Sequence, residues 1–437
     1  MASAHSSDFN ATSETIPRTA LIIGGGIAGC AAAYALAQRG IAVTLIERAP
    51  QLASGASGNS RGILHARFGA GDNLLHHFVR EAYVHALKLL DKVLPVDNVM
   101  RGECGLLQLA CKPVEEKRIA RLAEKEWPEH LLQFVDAAQA GELAGIEMQY
   151  GGLWFPSGGW VVPPELCVAL VRDALISQRL GYEVATLEQS ATGWCASGLD
   201  VQGKAWSEEA ELALVCCAHE AKKFAPFAHF PLIPVRGQIT ELLETGASQA
   251  LRAVVCGDGY CAPAVNGVHV TGATHAFDDE STEVREADHV ENLTKLAEYA
   301  PALLQSLNPC DTAGRHSRES GNPAKKTSPR SGQSVDSDAL RADSLTNWIP
   351  AFAGMTQEVT GRASIRCSAP GSMPFVGEVQ AGLYCSLAHG TRGLLTAGIA
   401  GEVIAAQICG ELPPLPTEIL AELNPLSRIR NKGKGRT

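Results

Sequence analysis

The chain alternates short apolar runs with longer helical patterns, and the first such set lies near its N-terminus. Residues 21–23 and 41–46 are apolar and predict two strands. Between them, residues 27–39 are rich in alanine and predict a helix, with Gly40 as its C-terminal cap. Two short apolar strands joined by one helix are typical of a parallel βαβ unit, so this pattern predicts an α/β fold.

Similar patterns continue along the chain, and the strands predicted over residues 235–243, 259–263 and 268–272 indicate a second sheet. Asp288 and Glu291 are spaced as a capping box, and Pro301 is expected to end that helix or to begin a further short turn. The predicted helices are residues 73–94, 163–178, 288–299 and, after a glycine-rich start, 390–409. The further predicted strands are residues 104–110, 152–155, 212–217, 235–243, 259–263 and 268–272.

Composition narrows the class of protein. The 437 residues are 46% hydrophobic and carry a net charge of −10, which predicts two domains with a sizeable core and a body unsuited to polyanions. No apolar run reaches membrane-spanning length, and residues 1–16 have the polar character of a frayed leader rather than a signal peptide. The 13 cysteines show no C-x-x-C and no zinc spacing, so we expect a reduced, metal-free, cytoplasmic protein.

The first predicted turn carries the clearest chemistry. Gly24, Gly26 and Gly29 form G-x-G-x-x-G directly after the first strand, where they permit a tight turn, close approach of a pyrophosphate and close helix packing. The following helix offers its N-terminal N–H groups to phosphate. Glu47 ends the second strand, where a carboxylate can accept from ribose hydroxyls. The unit predicts a bound dinucleotide; the alternatives are an ordinary βαβ turn and the nucleoside site of a methyltransferase.

Residues 311–357 have a different composition from the rest of the chain. The part from Asp311 to Asn347 contains no Phe, Trp or Tyr and is rich in Ser, Arg, Asp, Gly and Pro. Such a composition cannot bury enough surface to offset the entropy of ordering. Residues 315–323 and 347–356 resemble the translated ends of a dispersed bacterial repeat element. We therefore expect a disordered in-frame insertion, with a functional long loop as the alternative.

The last ten residues are basic, unlike the acidic body. A solvated, disordered end and a phosphate contact to a nucleic acid are both compatible with this charge. The five cations are Arg428, Arg430, Lys432, Lys434 and Arg436.

Motifs along nearly the whole chain resemble a known family. With the glycine unit, they resemble the D-amino-acid-oxidase-type flavoproteins, which bind FAD. Within these, they most resemble the FAD-dependent oxidoreductase half of the bifunctional enzymes that make 5-methylaminomethyl-2-thiouridine at the tRNA wobble position. The motifs are ASGNSRG (56–62), GGWVVPPEL (158–166), PVRGQ (234–238), DGYCAP (258–263), GATH (272–275), IRCSAPGSMPFVG (365–377), HGTRGLL (389–395) and LNP (423–425).

This resemblance implies an α/β fold with an α+β substrate part. A Rossmann-type FAD-binding domain is expected to interleave with a mixed-sheet substrate domain. The expected order is FAD-binding domain 17–100, substrate domain 101–154, FAD-binding domain 155–230, substrate domain 231–310, insertion 311–357, FAD-binding domain 358–425 and basic tail 426–437.

The resemblance also assigns residues to the cofactor FAD. The loop at residues 56–62 would supply backbone N–H groups, and the helix after Gly390 would turn its positive N-terminal end to reduced flavin. Ala218 stands where the family has a glycine-containing turn, and its methyl group is expected to crowd the cofactor slightly. The expected FAD residues are Gly24, Gly26, Ile27, Ala28, Gly29, Glu47, Arg48, Ala56, Ser57, Gly58, Asn59, Gly62, His389, Gly390, Gly393 and Leu394.

Three arginines are candidate anchors for a substrate carboxylate, because a guanidinium binds a carboxylate through two hydrogen bonds. Arg366 is preferred over Arg236 and Arg392 because family members hold substrate or flavin with the arginine of this segment. For each arginine, a structural ion pair is the alternative. The other candidate substrate-site residues are Gln238, Tyr260 and His275.

The implied reaction is oxidation of a secondary amine on tRNA. The CH₂ of a carboxymethylaminomethyl group would give a hydride to the flavin, and hydrolysis of the imine would release glyoxylate. A separate methyltransferase is expected to act on the aminomethyl product, because the methyltransferase half of the bifunctional enzymes is not in this sequence. The alternatives are an oxidase of free small amines such as glycine or sarcosine, and a flavoprotein that has lost catalysis.

Overall fold

The computed structural model describes residues 16–71, 73–307 and 359–432. The helices are α1 (Ile27–Ala37), α2 (Leu74–Val93), α3 (Pro113–Ala123), α4 (Ala137–Ala144), α5 (Pro163–Leu170), α6 (Glu286–Tyr299), α7 (Pro301–Leu307), α8 (Gly393–Ile408), α9 (Thr417–Leu423) and α10 (Pro425–Lys432). The first strands are β1 (Thr19–Ile23), β2 (Ala42–Glu47), β3 (Gly62–Ile63), β4 (Arg101–Gly102), β5 (Leu106–Leu109), β6 (Gln133–Val135), β7 (Gly152–Phe155), β8 (Trp160–Val161), β9 (Ile176–Leu180) and β10 (Tyr182–Gln189). The remaining strands are β11 (Trp194–Asp200), β12 (Ala205–Ala210), β13 (Leu212–Val215), β14 (Ile233–Leu243), β15 (Val254–Cys256), β16 (Tyr260–Val265), β17 (Val268–Gly272), β18 (Ala276–Phe277), β19 (Thr360–Ser368), β20 (Phe375–Gln380) and β21 (Leu383–Leu387).

A six-stranded sheet contains the predicted βαβ unit. Its order is β20-β21-β13-β1-β2-β9, and all neighbours except the antiparallel β20–β21 pair run parallel. Helix α1 is almost entirely buried, between this sheet and α8. Its alanines let α8 approach so closely that a Cβ at Gly401 would lie 2.8 Å from the carbonyl oxygen of Ala31. The α/β fold and the first βαβ unit are confirmed.

A nine-stranded mixed sheet forms the second layer. Its order is β18-β14-β17-β16-β15-β5-β7-β6, and β19 pairs antiparallel with β14. Helices α6 and α7 cover this sheet with buried leucines, including Leu296 and Leu304, against Leu107 and Val255. Two smaller sheets, β10-β11-β12 and β3-β8-β4, complete the fold.

The helix predicted over residues 163–178 is wrong in its second half. Helix α5 ends at Leu170, and the following turn is held by Asp173, whose carboxylate accepts from the Leu175 N–H at 2.9 Å. Strand β9 then forms the edge of the six-stranded sheet beside β2. Ile176 is buried and Leu180 is half-buried, and the three residues between them are exposed and polar. Such exposed polar residues also occur on the solvent-facing side of a helix, which is why the helix prediction continued into this strand.

The predicted capping box at Asp288 is also wrong. Helix α6 begins at Glu286, so Asp288 lies inside its first turn, and its carboxylate binds Arg236 instead of capping the helix. Pro301 begins α7, which agrees with one of the two predicted outcomes.

The structure places one segment differently from the sequence-based domain order. Strand β19, expected within the third stretch of the FAD-binding domain, forms a nine-residue ladder with β14 in the nine-stranded sheet. The insertion expected at 311–357 lies outside the described residues, as does the expected leader apart from Ile16. No helix in the described ranges is long and apolar enough to cross a membrane.

Candidate active site

A cavity of about 1160 Å³ lies where the two main sheets meet. One side is formed by residues at the carboxyl ends of parallel strands β1, β2, β13 and β21, the usual ligand edge of such a sheet. Residues of β16 and β19, among them Tyr260 and Arg366, form the other side. Typical pockets for one small ligand measure about 300–1,000 Å³, so this cavity has room for a dinucleotide and a second ligand.

The glycine turn after β1 faces the cavity and has the expected geometry. Gly24 has φ +112°, and a Cβ there would lie 2.8 Å from the Cys216 carbonyl oxygen. A Cβ on Gly29 would lie 1.9 Å from the Gly24 oxygen, so Gly29 serves packing and does not line the cavity. The hydroxyl of Ser57 accepts from the Ile27 N–H at 3.0 Å. Gly26, Ile27 and Ala28 therefore present the first turn of α1 to any ligand.

The Glu47 carboxylate is fixed at the edge of the cavity. It accepts from the N–H groups of Gly25 at 2.7 Å and Ala49 at 3.0 Å, which join the glycine turn to the end of β2. Its remaining lone pairs can accept from ribose hydroxyls. The neighbouring Arg48 also lines the cavity, in an ion pair with Glu220 at 2.6 Å.

The loop that follows β2 is held in place by Arg362, which sequence reasoning missed. Its Nη2 donates to the carbonyl oxygens of Ser54 and Gly55, each at 2.7 Å, and its Nη1 donates to Asn59 Oδ1 at 3.2 Å. A Cβ on Gly58 would lie 2.6 Å from the same guanidinium, so the absence of a side chain at Gly58 leaves space for Arg362. Gly58 itself does not line the cavity. Cavity-lining residues of this loop and its surroundings are Ala56, Ser57, Asn59 and Gly62.

The segment before α8 forms another part of the wall. His389 contacts the hydroxyls of Ser386 at 2.9 Å and Thr396 at 2.8 Å, and burial lowers the pKa of its imidazole to about 4. The predicted residues Gly390, Gly393 and Leu394 also line the cavity here.

Ala218 lines the cavity in a left-handed conformation. Its φ is +56°, which glycine adopts more readily than alanine, and Ala388 at the end of β21 has φ +63°. Ala218, the residue expected to crowd the cofactor, is therefore part of the cavity wall.

Arg366 forms the centre of a second polar group with His275 and Tyr260. Its Nη2 donates to the Thr274 carbonyl at 2.7 Å, and its Nη1 lies 3.2 Å from His275 Nε2. Burial and the Arg366 cation lower the pKa of His275 to about 4, and burial raises the pKa of Tyr260. No carboxylate of the described residues pairs with Arg366, so its charge is available to a ligand. A Cβ on Gly237 would lie 1.3 Å from Arg366 Nη2, so this glycine makes the space for the guanidinium.

Arg236 and Gln238 do not line the cavity, contrary to their prediction as substrate residues. Arg236 is fully buried and pairs with Asp288 at 2.7 Å, and its other donors bind the carbonyl oxygens of Ser281 and Glu283. The Gln238 side chain accepts from Arg236 and from the Arg285 N–H. Strand residues point to alternate faces, and these two face α6 and its preceding loop.

Among the cavity residues that sequence reasoning missed, besides Arg362, is a polar group that follows the loop after β2. Arg61, His65 and Arg67 follow β2 within the sequence GNSRGILHAR and line the cavity. Arg61 is 8% exposed, stacks on Trp160 with 4.7 Å to the ring centre, and has a buried Nε without a hydrogen-bond partner. The available signal was the spacing of these polar residues, which stand at odd-numbered positions with small or apolar residues between them. In an extended segment this spacing places the three side chains on one face, here the face toward the cavity.

The described part of the basic tail is folded. Arg428 lies in α10, with its guanidinium 4.0 Å from the centre of the Phe375 ring and donating to the carbonyl oxygens of Met373 and Pro374. The interpretation as a disordered end is therefore wrong for Arg428, which fastens the helix to the body, whereas the phosphate contact stays a prediction. The side chains of residues 430–437 lie outside the described part.

These features fit FAD. The glycine turn, the N-terminus of α1 and the loop held by Arg362 suit a pyrophosphate, and fixed Glu47 suits a ribose. Buried cationic Arg61, with an unpaired Nε, suits an electron-rich group in the adjoining space. The described residues contain no group of three or more His, Cys, Asp or Glu side chains that could hold a metal ion.

Known proteins resemble the chain in sequence. The tRNA 5-methylaminomethyl-2-thiouridine biosynthesis bifunctional protein MnmC of Nitrosospira multiformis is 47% identical over 412 residues, covering 94% of this chain and 60% of that protein. The protein of the same name from Chromobacterium violaceum is 37% identical over 413 residues, covering 93% and 59%. The chain thus spans about three-fifths of the length of these relatives.

Solved structures and a family model agree on the fold. Glycine oxidase from Geobacillus kaustophilus superposes with a TM-score of 0.67 at 18% identity, covering 93% of this chain and 97% of that one. Iminodiacetate oxidase from Chelativorans sp. BNC1 gives 0.67 at 20% identity, covering 93% and 98%. The model of the family described as FAD dependent oxidoreductase matches residues 19–407. The chain therefore belongs to the FAD-dependent oxidoreductase family and uses FAD as its cofactor.

Proposed function

We propose that the protein oxidises the carboxymethylaminomethyl group of a tRNA wobble uridine and leaves an aminomethyl group on the base. The observation that carries this proposal is the cavity-facing guanidinium of Arg366, which lacks a carboxylate partner among the described residues. An amine substrate that ends in a carboxylate would complete this ion pair.

The sequence relatives support the choice of substrate. Two relatives, 47% and 37% identical, are named for biosynthesis of 5-methylaminomethyl-2-thiouridine in tRNA. Their names describe bifunctional proteins, and this chain corresponds to only part of their length. The aminomethyl product would need a methyltransferase to become methylaminomethyl, so a methylation step is expected to consume it. A tRNA substrate would also imply that the protein acts in the cytoplasm.

The reaction removes two hydrogen atoms, which amount to two electrons and two protons, from a carbon and the amine nitrogen bonded to it. FAD, when bound, supplies the hydride acceptor. The substrate CH₂ next to the carboxylate loses a hydride and the amine nitrogen loses a proton, giving a C=N bond. Water adds to that carbon, the C–N bond breaks, and the products are glyoxylate and the aminomethyl base.

The residues around Arg366 favour the reactive form of the amine. Only the neutral amine can release a hydride from its neighbouring carbon, and nearby positive charge lowers the pKa of an ammonium group. Arg366 supplies that positive charge while holding the carboxylate. Because the pKa of His275 is about 4, its imidazole is neutral at pH 7, and its Nε2 accepts from Arg366 Nη1 and so helps to hold the guanidinium in place.

Helix α8 contributes through its position. Its N-terminal residues Gly393 and Leu394 line the cavity, so the positive end of the helix dipole faces the bound ligands. The positive end of the dipole stabilises the negative charge that is transferred into the cavity during the reaction. The rest of the protein's contribution to the reaction is to orient the substrate and to exclude water from the cavity.

The test is product analysis with the FAD-loaded protein. Modified tRNA is incubated with the enzyme in air, digested to nucleosides, and assayed for aminomethyluridine and glyoxylate in equal amounts. Arg366→Ala should retain FAD and lose most activity, and Arg366→Lys should recover only part because the forked geometry is lost. Arg179→Ala, a surface arginine paired with Glu208, serves as the control. Wild-type kinetics in Arg366→Ala, or absence of glyoxylate, would contradict the proposal.

A further inference from the structure

A second group of arginines lines the cavity and is not used by the proposed reaction. Arg392 stands just before α8, and Arg67 follows the loop after β2. The Arg392 guanidinium donates one long hydrogen bond, 3.3 Å to the Ser372 carbonyl, and no carboxylate within the described ranges pairs with it. Burial and the neighbouring Arg67 cation lower the pKa of Arg392, in agreement with two like charges held close together.

One carboxylate is shared among the cations on this side of the cavity. Glu115 of α3 pairs with Arg67 and, at 2.8 Å, with Arg118, so it cannot also neutralise Arg392. His65 adds no charge of its own, because burial and the nearby arginines keep its pKa at about 4. Two guanidinium groups therefore share Glu115, the Arg392 guanidinium has no carboxylate partner among the described residues, and positive charge is in excess where Arg67 and Arg392 line the cavity.

This cluster is distinct from the group around Arg366. The charged and polar neighbours of Arg366 are Tyr260 and His275, whereas the neighbour of Arg392 is Arg67. The Arg67 side chain is 52% exposed, so the cluster reaches from the cavity lining to solvent. A ligand bound at Arg366 that extends out of the cavity past Arg67 would meet this charge.

We propose that Arg67 and Arg392 form a second anion subsite, which binds a backbone phosphate of the RNA beside the nucleotide being oxidised. The inference rests on the proposed function, since it assigns the recognition of the polynucleotide part of that substrate. Paired guanidinium groups match the geometry of a phosphate, whose oxygens accept from both forks. A free amino acid held at Arg366 has a single carboxylate and leaves this subsite without a ligand.

The subsite predicts a selective loss in Arg67→Gln and Arg392→Gln. Two substrates are compared with the FAD-loaded full-length protein: an anticodon stem-loop carrying carboxymethylaminomethyluridine, and the same modified nucleoside without phosphates. Each variant should lower kcat/KM for the stem-loop about tenfold relative to that for the nucleoside, the loss expected for one charge-assisted contact. The log–log dependence of stem-loop binding on salt should become shallower by about 0.7 per variant.

Two further variants sharpen the test. Arg121→Gln removes the same charge from the exposed face of α3, outside the cavity lining, and should leave the stem-loop-to-nucleoside ratio unchanged. Glu115→Gln removes the carboxylate that neutralises Arg67 and should steepen the salt dependence of stem-loop binding.

The outcomes separate the two proposals. A wild-type ratio in Arg67→Gln and Arg392→Gln, or an equal loss in Arg121→Gln, overturns the phosphate subsite while stem-loop oxidation by the wild type still supports the function. A wild-type protein that oxidises neither the stem-loop nor the nucleoside overturns the function and, with it, the subsite.

Discussion

Replacing Gly237 by alanine should disable Arg366 without touching it directly. A Cβ at residue 237 would lie 1.3 Å from Arg366 Nη2 and 2.8 Å from the Thr274 carbonyl oxygen that this guanidinium binds. The backbone of Gly237 is not in the left-handed region, so the substitution acts through this collision and not through chain strain. The guanidinium has to leave its position at the cavity wall.

The size of the effect follows from the contact that is lost. Hydrogen bonds to charged groups contribute about 1.5–3 kcal/mol. At about 1.4 kcal/mol for each factor of ten, Gly237→Ala should raise the KM for the carboxylate-bearing substrate about 10- to 100-fold. FAD content should stay near that of the wild type, because Gly237 does not line the cavity.

The assay compares steady-state kinetics and released flavin in the wild type and four variants, of which Gly237→Ala is the first. Gly246→Ala is the matched control, since a Cβ there meets nothing within 4 Å. Arg366→Ala gives the full loss, and the double variant Gly237→Ala with Arg366→Ala tests coupling. Residues that act through one contact should not show additive losses, so the double variant should resemble Arg366→Ala alone. An unchanged KM in Gly237→Ala, or additive losses in the double variant, would refute the role of this glycine.

Three further predictions concern the cofactor, acid stability and the C-terminal helix. Gly24→Ala should release FAD, because φ +112° and a Cβ 2.8 Å from the Cys216 oxygen distort the turn; undiminished flavin absorbance in the purified variant would argue otherwise. The pKa of His389 is about 4, below the ordinary 6.5, so the unfolded state binds more protons between these values and stability should fall as pH falls from 6.5 to 4. Urea midpoints should show this decline, and His389→Gln should reduce it; a midpoint independent of pH would contradict it. Arg428→Ala should lower the free energy of unfolding by about 1–2 kcal/mol through lost carbonyl contacts and stacking on Phe375, while the salt dependence of RNA binding stays constant; a shallower dependence would instead support a phosphate contact by Arg428.

The parts of the fold set by short-range rules could be predicted from the sequence. The glycine turn, α1 and β2 follow from spacing, apolar periodicity and the need for close backbone approach, and the structure agrees within a few residues. Helix α2 begins after Asn73, whose side chain accepts from the His76 N–H as an N-cap does. Strand β9 was missed because its exposed polar residues depend on pairing with β2, which lies far away in sequence.

The residues of the candidate site also fall into two groups, those that local sequence patterns could predict and those whose position depends on pairing between distant parts of the chain. Residues beside the glycine turn were found because their chemistry is local. Arg236 and Arg366 are both arginines in strands, and only the β14–β19 pairing and the position of α6 show that the first is paired with Asp288 and the second faces the cavity. Arg362 was missed for the same reason, since the loop it holds lies about 300 residues earlier in the chain.

Anaerobic reduction of the bound flavin tests the central claim most directly. The FAD-loaded protein is mixed without oxygen with tRNA carrying carboxymethylaminomethyluridine, and in parallel with glycine or sarcosine, and the flavin absorbance is followed. The proposed function predicts rapid bleaching by the modified tRNA, with one glyoxylate released per flavin reduced, and little bleaching by the free amines. Bleaching by glycine or sarcosine together with no response to the modified tRNA would contradict it.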